Sequence, residues 1–236
     1  MKYLILTLLT FFTVSTYASS LSIDIGSTKT LYNRFAIPGT DKDRVTLPKG
    51  DALTSYRLTG YFDLKSKNQI YFLLAPLETE STFISSKNFE FDKTTFSANT
   101  ETRVNYKFNS YRLGYLWKWY SSNLKYWTGV VGKIRDAKIS VSQGATTKSY
   151  DNFGFVPLLA FGFDYQFSPS FSIFSHTDAL SASQGSAFDS QLEFRYLLRS
   201  FGVSLGKRIF GGGADNDEVY TFAQFDTYYL RLSYFF

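Results

Sequence analysis

The chain has no cysteine, one histidine and only five prolines in 236 residues. Without cysteine it has neither a disulfide framework nor a thiolate metal site. Long cationic runs are missing too. The net charge of +5 includes Lys2, and without that residue 24 basic side chains face 20 acidic ones, leaving +4. So mild and interspersed a balance lacks the basic stripe that nucleic acid requires, and no nucleic-acid partner is expected. Beyond the N-terminus, long apolar runs are also absent. The longest is "FVPLLAFGF" (155–163), which contains Pro157 and falls short of the ~20 residues of a spanning helix. A mature chain with a helical membrane span is thereby excluded.

The first residues have the form of an export signal. Lys2 supplies the positive end, "YLILTLLTFFTV" is a short apolar stretch, and "TYA" before Ser19 supplies a small-residue cleavage site. The expected organisation is a signal peptide over 1–18, cleaved near Ala18, and one domain over 19–236.

Aromatics are abundant, at 19% of residues, and they alternate. Over 153–167, Phe153, Phe155, Pro157, Leu159, Phe161, Phe163, Tyr165 and Phe167 share one strand face. Gly154, Val156, Leu158, Ala160, Gly162, Asp164 and Gln166 share the other. In a soluble sandwich the apolar face points into a core and seldom carries so many consecutive large rings. An outward apolar band with aromatic girdles, facing lipid, accounts for the pattern better. Over 111–119, Tyr111, Leu113, Tyr115, Trp117 and Trp119 alternate with Arg112, Gly114, Leu116 and Lys118. Over 188–196, Asp189, Gln191, Glu193 and Arg195 share a face, and they are expected to pair inside the lumen, since each facing lipid would cost a few kcal/mol.

Four connectors are short (65–68, 120–123, 168–170 and 198–200). They alternate with mostly longer ones near 28–51, 80–101, 139–149, 181–187 and 211–218. Nine connections give ten antiparallel strands with both chain ends on the short-turn, periplasmic side. Eight is the alternative count if "LSIDIGS" is only a lead-in. The fold class is therefore all-β, a closed antiparallel transmembrane β-barrel.

The last residues, "YYLRLSYFF", alternate Tyr228, Leu230, Leu232, Tyr234 and Phe236 with inward positions that include Arg231. This ending resembles that of the single-chain bacterial outer-membrane β-barrel proteins. The resemblance implies a closing strand that meets the first strand and a terminal segment, ending in Phe236, that the barrel-assembly machinery recognises. It also implies the outer membrane of a diderm bacterium as the address, with lipid and lipopolysaccharide as neighbours.

Some barrels of that class are enzymes, so the polar face needs a search for chemistry. His176 and Asp178 share a face of the seventh strand, and antiparallel pairing sets Asp178 near Asp189 and His176 near Gln191 or Glu193. A histidine oriented by carboxylates can act as a general base. The ten-stranded outer-membrane proteases use an Asp/His couple with a further Asp pair, which this chain resembles in strand count and in carboxylates around its histidine. The lipid A deacylase barrels use a His with a nearby Ser and an acid, whereas here Asp178 stands two residues after His176. The bland reading makes His176 and Asp178 lumen residues in a hydrogen-bonded plug, and it is preferred.

Other lumen candidates are Arg57, Arg112, Lys118, Lys133, Arg135, Glu193, Arg195, Arg208 and Arg231. Their excess is basic, which fits either a narrow anion-favouring channel or a filled interior of paired charges. The loop "GGGADNDEV" (211–219) offers oxygen ligands for Ca²⁺ but lacks EF-hand spacing and equally suits a hairpin turn. The loop 80–101, with Phe83, Phe89, Phe91 and Phe96, forms either a contact surface or a cover over the mouth. "KIRDAKISVSQG" (133–144) keeps alternating past membrane height.

The expected function is non-enzymatic: structural support, surface interaction or limited solute passage, with no cofactor and no metal. The alternative is a lipid or peptide hydrolase using His176, Asp178 and Asp189. A third reading is a secreted soluble β-protein of lipocalin type. The barrel reading requires that the mature protein partition into detergent; recovery as a soluble monomer without detergent would contradict it.

Overall fold

The computed structural model describes residues 19–40, 43–65 and 67–236; the expected signal peptide, with its cleavage near Ala18, lies outside them. Everything regular in the described residues is β. The strands are β1 (Ser20–Ala36), β2 (Val45–Thr46), β3 (Leu53–Lys65), β4 (Asn68–Ala75), β5 (Glu78–Ile84), β6 (Phe89–Phe91) and β7 (Thr94–Phe96). There follow β8 (Glu101–Ser121), β9 (Leu124–Gln143), β10 (Thr146–Ser168), β11 (Phe171–Ala182), β12 (Gly185–Leu198), β13 (Phe201–Asp215) and β14 (Tyr220–Phe235). Each wall strand pairs antiparallel with the next, and β14 returns to β1, with Asp24 opposite Arg231 and Ser20 opposite Phe235. β4 and β5 occupy one place in the wall, both against β8, so the closed barrel has ten strands. Closure leaves no free sheet edge along that junction, as a wall in lipid requires.

The base carries the chain ends of the barrel, the connection from β3 to β4 and the turns 122–123, 169–170 and 199–200; the mouth carries the remaining connections. The first strand is not short but runs to Ala36. The third expected strand is interrupted at Pro76, which has no N–H to give the ladder. Three expected loops shrink because their strands run on: β9–β10 turns at 144–145, β11–β12 at 183–184, and the glycines 211–213 belong to β13. Gly144, at φ +56°, supplies the left-handed residue of the first of these turns.

The outward faces expected from alternation are the exposed ones. Phe153 and Phe155 are 76% and 71% exposed, and Leu113, Leu205, Leu230 and Leu192 are exposed in the same belt. Near the base the belt is rimmed by rings, among them Trp119 stacked on Tyr126 and Tyr234 on Phe236.

Toward the mouth the polarity of the two faces inverts while their parity does not. In β8, Val104, Tyr106 and Phe108 are buried inside and Arg103, Asn105 and Lys107 point outward. Lower in the same strand, Arg112 and Lys118 are buried inside and Leu113 and Trp117 face out. β9 does the same, with Ile139 and Val141 inside above Lys133. The inversion marks where lipid gives way to water: strands project above the membrane and enclose an apolar core there. The outward groups at that level pair locally, as Lys107 with Asp136 at 2.7 Å, which draws the Asp136 carboxyl below the usual carboxylate range.

Placing a charge in the belt tests this assignment. Leu230, in register between Ile25 and Leu205, faces lipid; Leu230→Arg is expected to lower the unfolding free energy in lipid vesicles by about 2–4 kcal/mol. An unchanged stability would move this row out of the membrane.

Candidate functional site

The one histidine lies inside the barrel. His176, Asp178 and Asp189 are 3%, 0% and 4% exposed. The register is the expected one, with His176 opposite Gln191 and Asp178 opposite Asp189. Trp127 Nε1–H donates to His176 Nδ1 at 3.1 Å, so the ring proton sits on Nε2 and is directed to Asp178 Oδ1 at 2.8 Å. Both ring nitrogens are thereby engaged. Trp127 reaches this position because residue 162 is glycine: a Cβ there would come within 2.3 Å of the indole. Tyr61, Tyr71 and Phe174 complete an aromatic box around the imidazole.

Asp178 is held from the opposite side of the lumen. Arg112 of β8 donates from one terminal nitrogen to Asp178 Oδ2 at 2.6 Å and places the other 2.7 Å from Asp189 Oδ2. Tyr71 OH adds a weaker donor to Asp178 at 3.3 Å. Asp189 also receives two bonds from Arg208, each 2.7 Å, the fork geometry that makes arginine–carboxylate pairs strong. Arg112 thus spans the lumen between walls separated by β9 and β10.

A second chain of charges follows the wall. Asp24 takes Arg57 at 2.6 Å and Arg231 at 2.5 Å, and Arg231 continues to Glu193 at 2.5 Å. Glu193 is shared with Arg195, which ends on Asp164, and Tyr229 OH donates to Glu193 at 2.9 Å. At the base, Lys118 pairs with Asp63, which also accepts from Gln69. Alternation places the arginines and Lys118 inward, but it does not identify Asp24 and Asp164 as partners of arginines or Asp63 as the partner of Lys118. Asp24 lies in the first strand, the one that the eight-strand alternative reads as a lead-in; Asp63 lies at the end of the second strand, and Asp164 appears only as the polar end of a small-residue face. Lys133 lies 4.9 Å over the Phe108 ring and forms no ion pair with a carboxylate among the described residues. Arg135 turns to Asn152.

Above these charges the interior is apolar and closed. Phe108, Phe210 and Phe225 pack together, Phe210 and Phe225 stacked at 5.0 Å. Over them lies the β6–β7 hairpin, whose Phe89 and Phe96 stack at 5.3 Å and whose Phe91 meets Phe35 edge-on at 5.5 Å. All three hairpin rings are buried. Asp92 N–H donates to Ile37 O, and Gln143 exchanges bonds with the backbone of Ser97. The segment 80–101 therefore supplies β5 to the wall and a cover to the mouth. No group of three or more His, Asp or Glu side chains able to hold a metal forms among the described residues.

No family model matches the chain, and no curated protein matches it in sequence. Its fold does match solved structures. The outer membrane protease OmpT from Escherichia coli superposes with a TM-score of 0.61 at 10% identity, over 92% of this chain and 96% of that one. The transport unit of the E. coli autotransporter AIDA-I gives 0.48 at 10% identity over 94% and 91%. The attachment invasion locus protein Ail of Yersinia pestis gives 0.39 at 12% identity over 92% and 99%. The chain thus has the fold of the small bacterial outer-membrane β-barrel proteins. At 10% identity the OmpT likeness shows shared architecture, and the two lower scores add nothing to it.

Removing one end of a buried ion pair leaves the other uncompensated. Arg112→Met is therefore expected to cost about 3–5 kcal/mol in equilibrium unfolding from lipid vesicles. Adding Asp178→Asn should return at least ~0.5 kcal/mol of that loss, because the two side chains are coupled. Additive losses would mean that Arg112 and Asp178 do not act together.

Proposed function

We propose that this protein is an integral outer-membrane barrel that works without catalysis or bulk solute passage, through the surfaces it presents above the membrane. The observation that carries this reading is the filled lumen, crossed by Arg112 and sealed toward the mouth by Phe89, Phe91 and Phe96. Small barrels fill their interiors with side chains, and a conducting path would need a continuous wet lane that these layers interrupt. What remains accessible is the projecting rim of β8, β9 and β10 and the polar outer faces of the mouth. Lipopolysaccharide is the expected neighbour there, met by outward lysines such as Lys107 and Lys138. The closing strand β14 fits recognition by the barrel-assembly machinery, since its outward residues Tyr228 to Phe236 alternate in the required way.

The His176–Asp178 couple at 2.8 Å favours a second reading, a lipid or peptide hydrolase. Against it, His176 Nδ1, the nitrogen a general base would use, already accepts from Trp127, and a substrate would have to pass the aromatic layers.

Two measurements separate these readings. Planar bilayers containing the protein should show no discrete conductance steps; regular steps would replace the plug with a pore. Hydrolysis of lipid A, phospholipid or peptide above background that disappears in a folded His176→Ala variant would establish the enzyme.

A further inference from the structure

Among the described residues, the ladder between β3 and the place shared by β4 and β5 is interrupted. β3 pairs with β4 from Lys65↔Asn68 up to Leu58↔Leu74 and no further, while β5 pairs with β8 alone. Continuing the same register would set Arg57 opposite Ala75, Tyr56 opposite Pro76 and Ser55 opposite Leu77. These six residues instead line an opening. Pro76 has no N–H, and the neighbouring Leu77 N–H is taken by Asn109 Oδ1 at 2.9 Å. Below, the gap ends at the Leu58↔Leu74 pair. Above, the backbone around Gly50 comes alongside Glu80 and Ser81. The result is a window in the barrel wall. Its lower end adjoins the lipid-facing belt, because Tyr56 is exposed and in register with Ile25 and, through it, Leu230.

Behind the window is a cavity of about 20 Å³ bounded by Arg57, Arg208, Tyr229, Phe108 and Phe210. That is more than the ~10–15 Å³ a single water occupies on this measure, and too little for a sugar phosphate. Two arginines, Arg57 and Arg208, and one carboxylate, Asp24, line the cavity. Arg57 is only 5% exposed, and while its Nε is bound to Asp24, one terminal nitrogen is buried with no hydrogen-bond partner. Arg208 also borders the cavity, and Lys133, which makes no ion pair among the described residues, lies against Phe108 on its rim. A buried guanidinium nitrogen without an acceptor is costly, so an anion that reached it would be held. An open sheet edge bordering hydrocarbon has a matching need for polar partners.

We propose that this window is a lateral binding site for a membrane amphiphile with a carboxylate head, of the fatty-acid type. The carboxylate enters between β3 and β5 and accepts from the free terminal nitrogen of Arg57, planar group to planar group. The alkyl chain stays outside, along Tyr56 and the apolar belt. The filled lumen does not obstruct this route, because the ligand arrives through the wall from the bilayer and not through the mouth. The site touches the His176 network only through Arg208, which is bound to Asp189, and it does not depend on the surface role proposed above.

The test is native mass spectrometry of the full barrel released from phosphatidylcholine nanodiscs titrated with palmitate. One saturable palmitate per barrel is expected, with methyl palmitate binding about tenfold or more weakly because it lacks the charge. Arg57→Gln should weaken palmitate by a similar factor. Since that change also removes a partner of Asp24, Ala75→Phe, which fills the window without altering any charge, should do the same in a barrel that still shows folded mobility on unheated gels. Equal binding of acid and ester, or palmitate binding untouched in folded Ala75→Phe, would overturn the site. Competition by acetate at equal concentration would overturn the membrane route, and tighter binding of hexadecyl phosphate would overturn the carboxylate head.

Discussion

The interior of this barrel is dry and charged, and the rest of its organisation follows from that combination. Desolvating an ion costs several kcal/mol, so every carboxylate in the lumen must meet a cation at hydrogen-bond distance. Arg112 meets this demand across the lumen by binding Asp178 and Asp189 with different nitrogens of one planar group. Lysine at the same position could not, since its single ammonium lacks the fork. The strut then fixes the neighbours: Asp178 orients His176, His176 positions Trp127, and Trp127 requires glycine at 162. The single histidine is thus a link in a chain of orientation that starts at an arginine.

Two solvents act on the same strands. In the belt, lipid outside and paired charges inside give each strand one apolar face turned outward. Above the belt, water outside and packed rings inside turn the apolar face inward. The backbone passes from one regime to the other without losing register, as β8 shows between Lys107 and Arg112. Only the chemistry at each parity changes. The mouth is therefore built like a small soluble β-protein, with Phe35, Phe91 and Phe225 as its core, set on top of a membrane barrel.

This division explains what the sequence disclosed. Parity was legible throughout the belt, because lipid forces a strict period of two and any slip would expose a charge such as Glu193 or Arg231. Strand count was legible for the same reason. The heights of strands were not: once polarity inverts, a stretch such as 211–215 no longer looks like the strand below it, and its glycines look like a turn. The loop 80–101 could not be resolved into a wall segment and a cover, since neither three-residue β6 nor β7 carries enough period to be recognised. In the candidate site, the pairing of His176 and Asp178 with 189–191 followed from a hairpin and was visible. The partner that matters most was not, because Arg112 lies 66 positions from Asp178. Nothing local in the sequence encodes a contact across the lumen.

The closure of β14 on β1 has a consequence for how the molecule comes into being. Its pairs join residues such as Ser20 and Phe235, almost the whole chain apart, and so do the ion pair of Asp24 with Arg231 and the hydroxyl pair of Ser22 with Ser233. Each other wall strand has a neighbour close in sequence, and loop-closure entropy favours those hairpins first. β1 has to wait longest for its second partner, with Asp24 uncompensated on that side. Until the barrel closes, this strand is the exposed edge of an unfinished sheet, open to pairing with another chain. The N-terminal strand therefore sets the period over which the nascent barrel depends on protection from aggregation.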